Sequence, residues 1–201
     1  MNEGICIFGG SFDPVHKGHV KLAQHVVKEL SLKKMLIIPA ALSPFKSNSG
    51  ASPEDRMTMC SLAFSDVIFT VSDIEIKRGG KSYTVDTVNA VKELYPEEKI
   101  YLLIGSDQFL SFNKWYKFDE ILKKVTLITV VRDGSLDENQ LKDFSQRVLS
   151  PYGESIVLTF SPIEVSSTEI RNKARSGEDF SSLVGEEVFS FIKAKGLYKD
   201  V

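Results

Sequence analysis

At 201 residues the chain is long enough to close one domain over a substantial core, and its 25 basic residues against 27 acidic ones leave no bulk positive field for gripping a nucleic acid backbone. Nucleic acid is thereby excluded as the main partner. The two cysteines, Cys6 and Cys60, lack CxxC or metal-ligand spacing and read as reduced core residues. With no signal-type leader and no apolar run of membrane-spanning length, the expectation is a cytoplasmic protein without a membrane partner.

In chain order, the apolar run from Gly4 to Phe8 reads as a buried strand, and the amphipathic run from Val20 to Leu30 as the helix after it. Between them lies the turn Gly9-Gly10-Ser11-Phe12-Asp13-Pro14-Val15-His16-Lys17-Gly18-His19. Lys34 to Pro39 reads as a second strand. Ala40 to Ser52, rich in Ser, Pro and Ala with Lys46 as its only charge, reads as an active-site loop. Ser52 as N-cap, Pro53 at the first helical position and two acids after it start a helix that runs to about Phe64. Val67 to Val71 and Ile74 to Ile76 are β-branched runs and read as one bent strand or two short ones. Ser82-Tyr83-Thr84 opens a helix carrying Val85, Val88, Val91 and Leu94 at helical spacing, ended at Pro96.

Ile100 to Ile104 is another strand and runs into Gly105-Ser106-Asp107, a strand-end turn like the first. An aromatic-rich stretch from Phe109 to Phe118 holds Trp115 and Tyr116 and precedes a short helix near Asp119 to Lys124. Val125 to Val131 is the most strand-like run. Arg132-Asp133-Gly134 turns it, Leu136 to Leu149 reads as a helix, and Ile156 to Phe160 as a last strand. Two helices close the chain, Ser167 to Ser176 ended by Gly177 and Glu186 to Lys195 ended by Gly196. This alternation predicts an α/β fold in one domain over residues 1–201: a Rossmann-like, doubly wound, mainly parallel sheet with helices on both faces and a short helical C-terminal portion from about 166 packed on it. No GxGxxG follows the first strand and no GxxxxGK[ST] occurs, which disfavours a plain dehydrogenase or a P-loop kinase.

Chemistry concentrates at two places. In the first turn, Gly9 and Gly10 let the backbone approach a ligand, Pro14 stiffens the turn, and His16 and His19 share one face of the first helical turn, whose free amides attract anions. In Ser166-Ser167-Thr168-Glu169-Ile170-Arg171, Ser166 and Glu169 fit a capping box, so Ser167 and Thr168 present hydroxyls and amides at a helix start with Arg171 one turn on. An ordinary capped surface helix carries the same signature; beside the first turn it forms a second positive wall.

Together the two motifs resemble those of the nucleotidyltransferase superfamily with [HT]xGH and SSTxIR signatures. Ser82-Tyr83-Thr84-Val85-Asp86-Thr87, Ile104-Gly105-Ser106-Asp107 and Trp115-Tyr116 narrow the resemblance to bacterial nicotinate-nucleotide adenylyltransferases over nearly the whole chain. Two departures stand out: Ser11 where the family often has Thr, and Ser43-Pro44-Phe45-Lys46 where it often has Pro-Pro-His and a basic residue. The resemblance implies an enzyme that moves AMP from ATP to nicotinate mononucleotide, giving deamido-NAD and pyrophosphate, by direct in-line displacement without a covalent intermediate. It implies that ATP meets Gly9, Gly10, Ser11, Phe12, His16, Gly18, His19, Gly105, Asp107, Ser167, Thr168 and Arg171, with His16, His19, Lys46 and Arg171 as the catalytic set. For nicotinate mononucleotide it implies Lys46, Ser82, Tyr83, Thr84, Trp115, Tyr116 and Arg132. From the residues alone Trp115 reads first as a core side chain; the resemblance turns it into a stacking face for the pyridine ring. Mg²⁺ is expected to ride on ATP phosphates and water, without a carboxylate cage, and a homo-oligomer is compatible with the sequence. The competing readings are the same fold with nicotinamide mononucleotide or phosphopantetheine as acceptor, and a nucleotide-binding module without chemistry.

Overall fold

The computed structural model describes residues 4–41, 50–132, 137–161 and 164–199. In order they form β1 (Ile5–Gly10), α1 (Lys17–Glu29), β2 (Lys34–Pro39), α2 (Pro53–Ala63), β3 (Phe69–Val71), α3 (Ile74–Arg78), α4 (Thr84–Leu94), β4 (Ile100–Ile104), α5 (Ser106–Phe109), α6 (Phe118–Leu122), β5 (Thr126–Arg132), α7 (Asp137–Phe144), β6 (Ser155–Phe160), α8 (Ser167–Ser176) and α9 (Glu186–Lys195). The strands make one sheet in the order β3-β2-β1-β4-β5-β6, and all five pairings are parallel. The expected doubly wound α/β sheet is thus present. In that order the direction of winding reverses between β1 and β4, and the crevice beyond their carboxyl ends is where such sheets hold ligands.

Continuous apolar runs form these strands because both faces of the sheet are covered, and alternation along each strand sorts its side chains into two layers. Cys6, Phe8, Met35, Ile37, Tyr101, Leu103 and Ile128 face the layer that holds Ala23 and Val26 of α1, Met59 and Cys60 of α2, Ile170 of α8 and Ile192 of α9. Ile5, Ile7, Leu36, Ile38, Ile100, Leu102 and Leu127 face Val85, Val88 and Val91 of α4 and Ile121 of α6. Each fully buried Leu or Ile contributes about 1.5–3 kcal/mol, so these layers hold the strand tips in place. Cys6 and Cys60 are both free thiols in the first layer, and burial pushes both well above the usual thiol range.

Helix boundaries follow the local signals. Ser52 Oγ accepts from Asp55 N at 3.0 Å with Pro53 behind it, Ser166 Oγ accepts from Glu169 N at 3.1 Å, and Gly177 and Gly196 end α8 and α9 with φ of 79° and 64°. One element differs in kind. Ile74 to Ile76, expected as strand, is the start of helix α3. Lys77 N donates to Asp73 O at 2.8 Å and Gly79 N to Glu75 O at 3.0 Å, and Gly79 at φ 68° ends the turn. Acids at its start and Lys77 and Arg78 at its end complement the helix dipole, while the β-branched pair is used for packing: Ile74 lies against the second layer. The helix expected over 136–149 is α7 followed by a π-helical turn at Ser145–Leu149.

Candidate active site

The site is built at the end of β1. Gly9 and Gly10 still pair with Ile38 and Pro39 of β2, so they belong to the strand rather than to the turn. The chain then leaves the sheet through Phe12, whose φ of 47° turns its ring inward, edge-on to Phe8 and His19 with ring centres 5.4 and 5.1 Å away. Buried Asp13 holds the next step. Its Oδ1 accepts from the Tyr198 hydroxyl at 2.8 Å and its Oδ2 from Gly50 N at 3.1 Å; burial and this carboxylate push the phenol above its usual range. The buried Arg56 guanidinium donates to Ser11 O at 2.9 Å, to Ala40 O at 2.7 Å and to Ala41 O at 3.3 Å, and so straps the tips of β1 and β2 together.

His16 and His19 cap α1 reciprocally. His19 N donates to His16 Nδ1 at 3.3 Å and His16 N to His19 Nδ1 at 3.2 Å, and the rings stack with centres 3.7 Å apart. Since both Nδ1 atoms accept, each ring carries its proton on Nε2, which makes each Nε2–H a hydrogen-bond donor. Burial drives the His16 value from 6.5 down to about 4, so His16 is neutral at pH 7. Two amides expected for an anion are engaged within the protein: Lys17 N goes to Leu183 O at 3.0 Å and His19 N to His16, leaving, among the described residues, the amide of Gly18 in that first turn. Gly18 itself is required, because a Cβ there would stand 2.9 Å from Val165 Cγ1 and 3.0 Å from His16 Nδ1.

The depressed His16 value stabilises the native state above pH 6.5, and that stability is lost as pH falls through the interval from 6.5 to about 4. The unfolding free energies from urea melts at pH 7 and pH 4.5 should therefore differ more for the wild type than for His16→Ser, by about 2 kcal/mol. An equal drop in both would show that His16 does not titrate with folding.

The second motif packs against this turn. Ser167 Oγ donates to Pro14 O at 2.9 Å, Arg171 Nη1 to Asp13 O at 2.7 Å and Arg171 Nη2 to Thr168 Oγ1 at 3.1 Å. The helix α8 start thus faces the histidines through residues 13 and 14, bringing together Phe12, His16, Gly18, His19, Ser167, Thr168 and Arg171.

Beside this cluster a cleft of about 550 Å³ opens over β1 and β4, and Gly9, Gly10, Ser11 and Gly105 line it with Ser82, Tyr83, Thr84, Trp115 and Tyr116. Ser82 Oγ accepts from Ala41 N at 3.1 Å, fixing the start of α4 to the end of β2. Tyr83, at the N-cap, makes no side-chain cap bond; Asp86 N turns back to Tyr83 O at 3.1 Å, so the amides of Thr84 and Val85 are the ones placed for a ligand. Half-buried Trp115 leans with one side on Phe112, ring centres 5.0 Å apart, and lines the cleft. Tyr83 and Tyr116 stand at the rim with centres 5.3 Å apart.

Asp107 is exposed in the first turn of α5 and does not line the cleft. Lys46 lies outside the described residues, as does the side chain of Arg132 at the end of β5. Sequence reasoning missed Arg56, Tyr198, Glu75 and Thr87, the last two of which line the cleft. For Glu75 the signal was masked by its β-branched neighbours.

A family model described as cytidylyltransferase-like matches residues 7–173. Relatives named nicotinate-nucleotide adenylyltransferase include that of Carboxydothermus hydrogenoformans, 38% identical over 199 residues that cover 97% of this chain and 98% of the relative. That of Aquifex aeolicus is 41% identical over 167 residues, covering 81% and 98%. Among solved structures, Plasmodium falciparum nicotinic acid mononucleotide adenylyltransferase complexed with NaAD has a TM-score of 0.79 at 18% identity, covering 98% of each chain; that likeness concerns the fold.

Proposed function

The chain belongs to the cytidylyltransferase-like family, among the nicotinate-nucleotide adenylyltransferases, and from that premise we propose that it transfers AMP from ATP to the 5′-phosphate of nicotinate mononucleotide, releasing deamido-NAD and pyrophosphate. The observation that supports this most is the junction at β1: a pair of histidine donors adjoins, through residues 9 to 12, a cleft walled by Trp115 and the open start of α4.

An ionised phosphate is already a nucleophile, so the reaction needs position and charge compensation rather than an activated side chain. The Nε2–H groups of His16 and His19 hold ATP phosphate oxygens, and Gly18 N adds a backbone donor. Arg171 and Lys46 offset the charge that grows on the leaving pyrophosphate, and Ser167 and Thr168 border it. Gly9, Gly10 and Ser11 form the floor, with the buried Phe12 ring packed against Gly10, and Gly105 takes the adenosine ribose, with exposed Asp107 two residues on outside the cleft lining. The pyridine ring lies on Trp115 with its carboxylate at the amides of Thr84 and Tyr116, between Tyr83 and Ser82, and Arg132 is assigned to the same substrate. Asp13 has both oxygens engaged by Tyr198 and Gly50, which fits a Mg²⁺ ion carried by ATP oxygens and water. When bound, the ion supplies further neutralisation of phosphate charge.

We read residues 1–201 as one catalytic domain of a cytoplasmic enzyme; among the described residues no helix is long and apolar enough to cross a membrane. Pyrophosphate release from ATP with nicotinate mononucleotide, nicotinamide mononucleotide and phosphopantetheine in parallel tests the acceptor. Fastest release with the nicotinate compound is the expected result. A different order would reassign the acceptor, and ATP binding without release from any would leave a binding module.

A further inference from the structure

Among the described residues that line the cleft, two carry charge: Lys114 and Glu75. An acid is unexpected there, since ATP, the acceptor phosphate and the acceptor carboxylate are all anions and would be repelled by it. Yet Glu75 is built in with care. It is 8% exposed, and its Oε1 accepts from Thr87 Oγ1 at 2.6 Å; Thr87, 2% exposed, accepts in turn from Arg78 Nη2 at 3.0 Å. Because that hydroxyl is occupied as an acceptor by Arg78, its single proton is directed to Glu75, which is therefore held as an acceptor. Arg78 is exposed at the far end of this chain of bonds, where solvent and salt weaken its charge, while Glu75 lines the cleft.

Thr87 follows Thr84 by three residues in α4 and shares its helix face. Thr87 therefore stands about one helical turn (~5 Å) from Thr84, whose amide is assigned above to the acceptor's carboxylate, and Glu75, bonded to Thr87, lines the same cleft. The substrates carry one cationic group. An N-ribosylated pyridine ring is quaternary and bears a permanent positive charge.

We propose that Glu75, held by Thr87, is a specificity-determining residue that recognises the cationic pyridinium ring of the acceptor and selects it over uncharged rings of the same shape. This rests on the adenylyl-transfer reading above. It explains why a site for anions retains a buried acid, and it assigns discrimination by ring charge to α3, an element apart from the carboxylate-binding start of α4.

The test compares kcat/KM for nicotinate mononucleotide with that for its 1,4-dihydro form, whose ring is neutral, in the wild type, Glu75→Gln and Glu75→Asp. Glu75→Gln keeps an acceptor for Thr87 and loses only the charge. The wild type should favour the cationic ring by about tenfold, Glu75→Gln should bring the ratio close to one with the KM for ATP unchanged, and Glu75→Asp should keep most of the preference. A Gln variant that lowers both acceptors equally and leaves the ratio intact would overturn the proposal and make Glu75 a tie between α3 and α4. So would a wild type with no preference. If the wild type turned over nicotinate mononucleotide in neither amount nor rate above a blank, the adenylyl-transfer reading itself would fall, and this proposal with it.

Discussion

Replacing His16 with serine should lower kcat by about two to three orders of magnitude while the protein keeps nearly its full stability at pH 7. The two effects separate because His16 does two jobs with two nitrogens. Its Nδ1 caps α1 by accepting from His19 N, and serine is a good N-cap that can replace this bond. Its Nε2–H is the donor assigned to an ATP phosphate, and serine at the N-cap does not reach that far. His16→Ala removes both, so it should cost the same rate and, in addition, about 1 kcal/mol of stability. Thermal unfolding beside steady-state kinetics checks the pair. A serine variant with wild-type turnover would reduce the histidine pair to a helix cap.

Removing the Arg171 side chain should cost about two orders of magnitude in kcat. The guanidinium reaches Asp13 O with one nitrogen and Thr168 Oγ1 with another, which aims the fork at the turn that carries the histidines. Arg171→Ala deletes the cation proposed to offset the leaving pyrophosphate and the staple on the turn together. Arg171→Lys restores a charge but not the fork geometry, so it should recover only part of the rate. Equal loss in both variants would mean that the fork matters and the charge does not; full activity in Arg171→Ala would remove α8 from the chemistry.

How much of this was legible in the sequence varies with the range of the interaction. The strands were legible because burial on both faces demands continuous apolar runs, and the helix ends were legible because Ser52, Ser166, Gly177 and Gly196 act within one turn of themselves. The spacing of His16 and His19 announced that they share a face. It did not announce that each caps the other, since that depends on the extended backbone of His16, φ −146° and ψ 170°, and on which ring nitrogen turns inward. That choice also reassigns the first-turn amides, which spacing had given to phosphate.

Partners distant in the chain were invisible for a simpler reason. Tyr198 reaches Asp13 across 185 positions and Arg56 reaches Ser11 across 45, and neither pairing leaves a periodic trace. Glu75 was hidden by its setting. Ile-Glu-Ile alternates like a strand, yet Asp73, the flanking charges and Gly79 make it a turn of helix whose acid points to the cleft-lining Thr87.

The most direct measurement follows the α-phosphorus. Purified protein is incubated with Mg²⁺, nicotinate mononucleotide and ATP labelled at that phosphorus, and the products are separated. Label should appear in a dinucleotide in step with pyrophosphate, only when both substrates are present, and at a rate that His16→Ser lowers by about two to three orders of magnitude. Label that remained in ATP, or emerged as free AMP or ADP without dinucleotide, would contradict adenylyl transfer at this site.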